Sequence, residues 1–188
     1  MPMTVRSNCT GTLPSVIAGS TYTCSRCAEP HDGPPLGYGT PAPAYWNVEA
    51  ADQPGSVLGE EQCVIAGSYF FVRARLVIPI SDLDAEFDWG VWVSVSEASF
   101  ERMSALWDKP ERVEEPTYFG WLSTALPLYE PTTLNLKTKL HTQPIGDRPL
   151  VELEPTDHPL AVEQRTGITS ARVQWIAEQI LHTNPPMG

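Results

Sequence analysis

Apolar and polar residues alternate over two long stretches in the middle of the chain. Phe70, Val72, Ala74, Leu76 and Ile78 interleave with Phe71, Arg73, Arg75 and Val77, which is the period of a half-buried strand. A second run places Phe87, Trp89, Val91, Val93 and Val95 on one face and Asp88, Gly90, Trp92, Ser94 and Ser96 on the other. Ser81-Asp82-Leu83-Asp84 between them has turn chemistry, so the two runs form a hairpin that buries Trp89, Val91 and Val93. The period then lengthens. Ser96 offers an N-cap, and Phe100, Met103, Leu106 and Trp107 make a helical stripe that stops at Lys109-Pro110. Shorter strands are predicted at Tyr118 to Leu122, at Thr133 to Thr142 with Leu134, Leu136 and Leu140 inward, and at Leu150 to Leu153. A final helix, capped by Thr169 or Ser170, carries Ala171, Val173, Ile176, Ala177 and Ile180 on one stripe and ends at Asn184-Pro185. Most strands have no helix between them, so antiparallel pairing is expected. The predicted class is α+β: a mainly antiparallel sheet of about five strands, with a mid-chain helix and a C-terminal helix closing the sheet's open face.

Upstream of this region the periodicity fails. Met1 to about Tyr22 shows no repeat and reads as a flexible leader. His31 to Gly55 is dense in proline and glycine, which forbids regular helix or central strand, and reads as an ordered irregular loop pinned by Tyr38, Tyr45 and Trp46. A chain of 188 residues supports one sizeable core, so residues 23–184 are expected to form a single domain behind the leader at 1–22.

Charge narrows the classes of partner. Against 23 acidic residues stand 12 basic ones, a net charge of -11 that repels nucleic-acid backbones. The basic pairs Arg73 with Arg75 and Lys137 with Lys139 read as solvated strand faces. No apolar run reaches membrane-spanning length and the N-terminus has no signal-type apolar core, so a cytoplasmic protein away from membranes is expected. Four cysteines, Cys9, Cys24, Cys27 and Cys63, are too few for a disulfide scaffold, which leaves metal binding, redox chemistry or plain burial.

Cys24 and Cys27 have the spacing of a zinc knuckle, in which a tight turn points both sulfurs at one ion; His31 follows, and Cys63 precedes the first long strand. Together these four residues make a three-sulfur, one-imidazole structural zinc site that tethers the proline-rich loop to the sheet. Buried reduced thiols are the other reading of the same residues. Dithiol redox catalysis does not fit, because the pair runs into an irregular loop and not into a helix. A second polar cluster holds Asp157, His158 and Glu163, and with His141 it supplies candidates for general acid–base chemistry. Asp157 ahead of His158-Pro159 also reads as a helix N-cap with Glu163 exposed. For His158 itself a structural role is expected, bonded to a carboxylate or to backbone.

The segments CSRCAEPHDGPPLGYGTPAPAYW, CVIAGSYFFVRARLVIPI, FDWGVWVSVSEASFERMSALWD, YFGWLSTALP, TLNLKTKLHTQPIGDRP and LEPTDHPLAVEQRTGI resemble the bacterial domain family of unknown function DUF2199, over Cys24 to about Leu181. That resemblance implies no activity. The family's opening is similar to Cys-x-x-Cys-Gly followed by His, and Ala28 stands where glycine is usual; its Cys-Val-Ile-Asp is matched by Cys63-Val64-Ile65-Ala66. With no phosphate loop, nucleotide fingerprint or nucleophile triad in the sequence, the expected function is a non-catalytic acidic module that binds or regulates another protein and carries structural zinc. The alternative is a small hydrolase or transferase using His158 or His141 with nearby carboxylates, set over a face carrying Lys137, Lys139 and Arg148.

Overall fold

The computed structural model of the protein describes residues 4–5 and 21–183. Its organising element is the expected hairpin: β7 (Tyr69–Ile80) and β8 (Ala85–Val95) pair antiparallel from Phe70↔Val95 to Ile80↔Ala85. Strands of 12 and 11 residues are longer than their neighbours can cover, so each splits its outer edge. β8 pairs near its C-terminal end with β9 (Tyr118–Leu122) and earlier, in parallel, with β4 (Gly37–Gly39). β7 pairs at its start with β6 (Gln62–Ile65) and at Arg75 with β11 (Leu150–Leu153). Short outlying strands β1 (Thr4–Val5) and β5 (Val57–Leu58) extend the sheet beyond β4 and β6.

Closure is the main departure from the expected sheet. β10 (Lys137–His141) pairs antiparallel with both β9 and β11, and β11 returns parallel to β7 at Leu150↔Arg75. The ring β7-β8-β9-β10-β11-β7 is thus a closed five-stranded barrel, not an open antiparallel sheet. The twist that accumulates along a long hairpin carries its two edges toward each other, and three short strands bridge them. Gly120 makes the β8–β9 seam possible: a Cβ there would lie 2.4 Å from Val93 Cγ1 and 2.7 Å from the Ser94 carbonyl oxygen.

Alternation decides which side chains fill the barrel. Val72, Ala74, Leu76 and Ile78 from β7 meet Phe87, Trp89, Val91 and Val93 from β8, all fully buried, with Leu122, Leu140, Val151 and Leu153 from the shorter strands. Helices α3 (Pro159–Thr166) and α4 (Ser170–Thr183) add Leu160, Ala161, Val173, Ile176 and Ala177 to the same core. Helix α2 (Glu97–Ala105) begins as expected at Ser96, whose Oγ accepts the Ser99 N–H at 3.2 Å, and docks on β7 through Phe100, its ring 5.1 Å from that of Phe70. A 3-10 turn at Pro110–Glu114 follows, and β10 starts at Lys137, four residues later than predicted from Thr133.

A second, smaller core lies outside the barrel. Phe71 and Trp92 point away from the barrel interior, and Cys63, Ile65 and Ala50 bury them from the other side, Ala50 coming from the short helix α1 (Val48–Ala51). Trp92, expected on a polar face, is fully buried there and donates Nε1–H to the Thr40 carbonyl at 3.2 Å. The proline-rich segment is therefore more regular than its composition predicts: it contains β4 and α1, and of its three expected pins Tyr38 is buried, Trp46 half-buried and Tyr45 exposed. The leader expected at 1–22 falls almost wholly outside the described residues; its described parts are β1 and the start of β2 (Thr21–Thr23), which pairs with β3 (Pro30–Asp32) in a separate two-stranded ribbon.

Candidate metal centre

The β2–β3 ribbon is a tight loop built around Cys24. Its backbone N–H donates to the Glu29 carbonyl at 2.9 Å, and its own carbonyl accepts the Ala28 N–H at 3.0 Å. The Arg26 N–H points at Cys24 Sγ, 3.4 Å away. Ala28 turns the chain at φ 59, in the left-handed region that favours glycine, which is the residue the family pattern puts there. Ala66, where that pattern has Asp, is left-handed as well, at φ 54. Burial pushes the Cys24 thiol up, but the Arg26 and Cys27 backbone and the Cys27 side chain outweigh it and hold the group below its ordinary value.

Helix α4 faces this loop with residues spaced by four, so that Gln174, Glu178 and His182 lie on one stripe. Glu178, almost wholly buried, accepts from the Ser25 N–H at 3.1 Å and the Ser25 hydroxyl at 2.5 Å, and is steadied by Gln174 Nε2 at 3.0 Å. Bonding to Ser25 and Gln174 holds its carboxyl below the usual carboxylate range. One turn on, His182 Nε2 lies 3.1 Å from Cys24 Sγ, while His31 Nε2 lies 3.3 Å from Cys27 Sγ. The ligand atoms of Cys24, Cys27, His31 and His182 all fall within 4.8 Å of one another, so two thiols and two imidazoles converge in a set that can hold a metal ion. His31 is further fixed by Tyr22, whose ring stacks on it at 5.5 Å.

Three of the four residues predicted to share a metal thus converge, and Cys63 is not among them. Cys63 is buried in the second core against Phe71 and Trp92, where burial pushes its thiol up to about 11. An apolar packing position within a strand, here β6, mimics a ligand position in sequence. The residue that takes its place, His182, lies more than 150 positions from Cys24 and in a helix that sequence periodicity explains without it. Cys9 lies outside the described residues.

Three of the four acid–base candidates are taken up by separate contacts. His158, and not Asp157, caps α3: its Nδ1 accepts the Leu160 N–H at 3.2 Å, and its Nε2 lies 2.8 Å from the Pro131 carbonyl. That pair of contacts assigns the proton to Nε2 and leaves neither nitrogen for a substrate. Glu163 accepts from the Tyr129 hydroxyl at 2.6 Å and pairs with Arg172 at 2.9 Å, and Tyr129 in turn accepts from Trp89 Nε1 at 3.2 Å. His141 sits on the outer barrel face with Nε2 2.8 Å from Glu152, and Asp157 is exposed. The strand lysines are matched too, Lys137 with Glu154 at 3.4 Å and Lys139 with Glu152 at 3.7 Å, and Arg148 pairs with Glu61.

Beside the second core the barrel wall is left uncovered. A groove of about 510 Å3 opens there, lined by Tyr45, Ile65, Tyr69, Phe71, Ser94, Trp121 and Asn135.

Fold and site together define a class: a small α+β barrel protein whose N-terminal ribbon and C-terminal helix meet at a Cys2His2 cluster. The chain belongs to the DUF2199 family, described as an uncharacterized protein conserved in bacteria, which matches residues 23–168. That span includes Cys24, Cys27 and His31 and stops before His182. No curated protein and no solved structure matches the chain. Among the described residues no helix is long and apolar enough to cross a membrane.

Proposed function

We propose that this protein is a non-catalytic binding module, stapled by a structural zinc ion, that captures a basic protein partner in a reducing compartment such as the cytoplasm. The observation that carries the reading is the completeness of the donor set. Two thiolates and two imidazoles fill the four positions of tetrahedral zinc, whereas a catalytic zinc keeps one position open for water or substrate. The spacing suits the ion: Zn–S of about 2.3 Å and Zn–N of about 2.0 Å put sulfur and nitrogen about 3.5 Å apart, close to the 3.1 and 3.3 Å between the paired donors. Three of the ligands, Cys24, Cys27 and His31, come from the ribbon and one, His182, from a distant helix, so the ion's role is to hold those segments together. The binding half of the reading is supported by the net charge of -11, which steers basic partners, and by the uncovered groove.

The test of the staple is thermal melting of protein expressed with zinc. Chelation should lower the melting temperature, and added zinc should restore it; a melting curve indifferent to the chelator overturns the reading.

A further inference from the structure

Three of the converging donors belong to the ribbon and the fourth, His182, to the last turn of α4. The donors alone do not explain how so small a ribbon meets the helix in register. Glu178 joins the two pieces, although it is not itself one of the converging donors.

Ser25 gives both of its polar groups to this one carboxylate, its N–H to Oε1 at 3.1 Å and its hydroxyl to Oε2 at 2.5 Å. Two bonds from one residue to two oxygens fix orientation as well as position. The Ser25 N–H belongs to the peptide unit that follows Cys24, and the carbonyl of that same unit accepts the Ala28 N–H at 3.0 Å. The unit is thus held at one end by α4 and at the other by the turn. The direction of the Cys24 side chain is set with it: the sulfur receives the Arg26 N–H, 3.4 Å away, and lies 3.1 Å from His182 Nε2.

The helix end of this link is anchored in the fold. Asp82, in the turn between β7 and β8, accepts the Ser170 N–H at 2.7 Å and the Ser170 hydroxyl at 2.6 Å where α4 begins, and Val173, Ile176 and Ala177 are buried in the main core. Gln174 Nε2 steadies Glu178 Oε1 from within the helix at 3.0 Å. The place of the carboxylate is therefore set by the barrel, and the ribbon hangs on it. Glu178 and His182 are spaced by four, one above the other on the same face, so the bonds that seat Ser25 at Glu178 also seat Cys24 at His182.

Glu178 is only 3% exposed, and among the described residues it is paired with no lysine or arginine; its hydrogen bonds come from Ser25 and Gln174. A carboxylate buried without a cationic partner is costly, and an apolar side chain among Val173, Ile176 and Ala177 would pack at less expense. What the carboxylate supplies instead is a fixed relation between turn and helix.

Resting on the structural-zinc reading, we propose that Glu178 is the positioning residue of the Cys2His2 centre: by clamping Ser25 it brings Cys24 into ligand register with His182. Without the clamp Cys24, Cys27 and His31, which are local to one another, stay together, and His182 drops out of the set.

The experiment measures the zinc affinity of the full chain by competition with a chromophoric chelator, and follows metal contact at each histidine by the ring nitrogen resonances in NMR. Glu178→Ala removes the clamp; Ser25→Ala removes only its hydroxyl arm, from an exposed position that leaves α4 untouched. Affinity should fall about tenfold to a hundredfold in Glu178→Ala and by less in Ser25→Ala, with the His182 ring released from the metal in Glu178→Ala and the His31 ring still bound. Glu178→Gln, whose amide can accept the Ser25 N–H and donate to the hydroxyl, should recover part of the loss. Glu163→Gln is the control: it removes the partner of Arg172 near the start of α4 and should lower the melting temperature while leaving zinc affinity at the parent's level. Parent-level affinity in Glu178→Ala overturns the proposal, as does a His182 ring that stays on the metal in that variant. An equal loss in Glu163→Gln also overturns it, by making the effect one of helix stability. Should Glu178→Ala fail to fold, parent-level affinity in both Ser25→Ala and Glu178→Gln overturns it. In all these cases the parent binds zinc and the structural-zinc reading stands, whereas a parent that binds none overturns both.

Discussion

The barrel and the Cys/His ribbon are held together by opposite means. The barrel is a continuous apolar core to which every strand contributes every second residue, so its stability is spread over Trp89, Leu76, Phe87, Leu140 and their neighbours. The ribbon has almost no core of its own. It is two three-residue strands joined by the Cys24 turn, and among the described residues the side-chain hydrogen bonds that tie it to the rest come from one helix stripe: Glu178 on Ser25 and His182 beside Cys24. A region fixed by many weak contacts tolerates loss of a peripheral one, and a region fixed by a few polar contacts does not. The two should therefore respond differently to the same perturbation.

The largest effect is expected from truncating the barrel. Trp89→Ala removes a fully buried ring and its bond to Tyr129, and should lower unfolding stability by about 3–5 kcal/mol in urea titration. A loss under about 1 kcal/mol would break the claim that the barrel is the main store of stability. Next in size is His182→Asn or chelation. Hydrogen exchange should then speed up in residues 21–32 and in the last turns of α4, with the amides of β7 and β8 as protected as before; uniform deprotection would show that the two regions are one cooperative unit.

Smaller changes sharpen the contrast from the backbone side. Ala28 and Ala66 both sit at positive φ, one in the ribbon and one in the turn before the barrel. Glycine at either position should raise stability by roughly 1 kcal/mol by relieving the left-handed strain on an L side chain. The Ala28→Gly gain is expected to be larger in zinc-loaded than in zinc-free protein, whereas the Ala66→Gly gain should be the same in both. The smallest effect concerns Glu115, whose bonds to the Arg102 guanidinium and to the Tyr118 hydroxyl pull its carboxyl from the ordinary 4.5 to about 2. A depressed folded-state value stabilises the fold above the ordinary carboxylate range and ceases to as pH falls through the folded value. The melting-temperature gap between the parent and Glu115→Gln should be full above pH 4.5 and shrink toward pH 2. A gap that does not change over that window would contradict the pairing.

How much of this was legible in the sequence follows the same division. β7, β8, β9, β11, α2 and α4 were readable because burial on one face writes itself into the chain as a period, and β9 and β11 begin and end where the pattern does. Closure of the barrel was not, because the parallel contact of Leu150 with Arg75 joins segments whose periodicity is the same in an open sheet. The candidate metal ligands divide again. Cys24, Cys27 and His31 are local and announce themselves by spacing, while Cys63 was a false partner: a buried apolar site and a ligand site both favour cysteine. His182 could have been suspected only from its place four residues after Glu178 on a helix with an already sufficient apolar stripe. Its position beyond the family's matched span removes the other clue. The two departures from the family pattern, Ala28 and Ala66, carried more information than they first showed, since both mark left-handed positions.

The central claim is the identity of the fourth ligand, and metal analysis of three purified proteins tests it most directly. The parent chain and Cys63→Ala should each carry about one zinc per chain, because Cys63 only packs against Phe71 and Trp92, whereas His182→Asn should lose most of its metal while the barrel's circular dichroism is unchanged. No zinc in the parent, or loss from Cys63→Ala equal to that from His182→Asn with the barrel intact in both, would contradict the account.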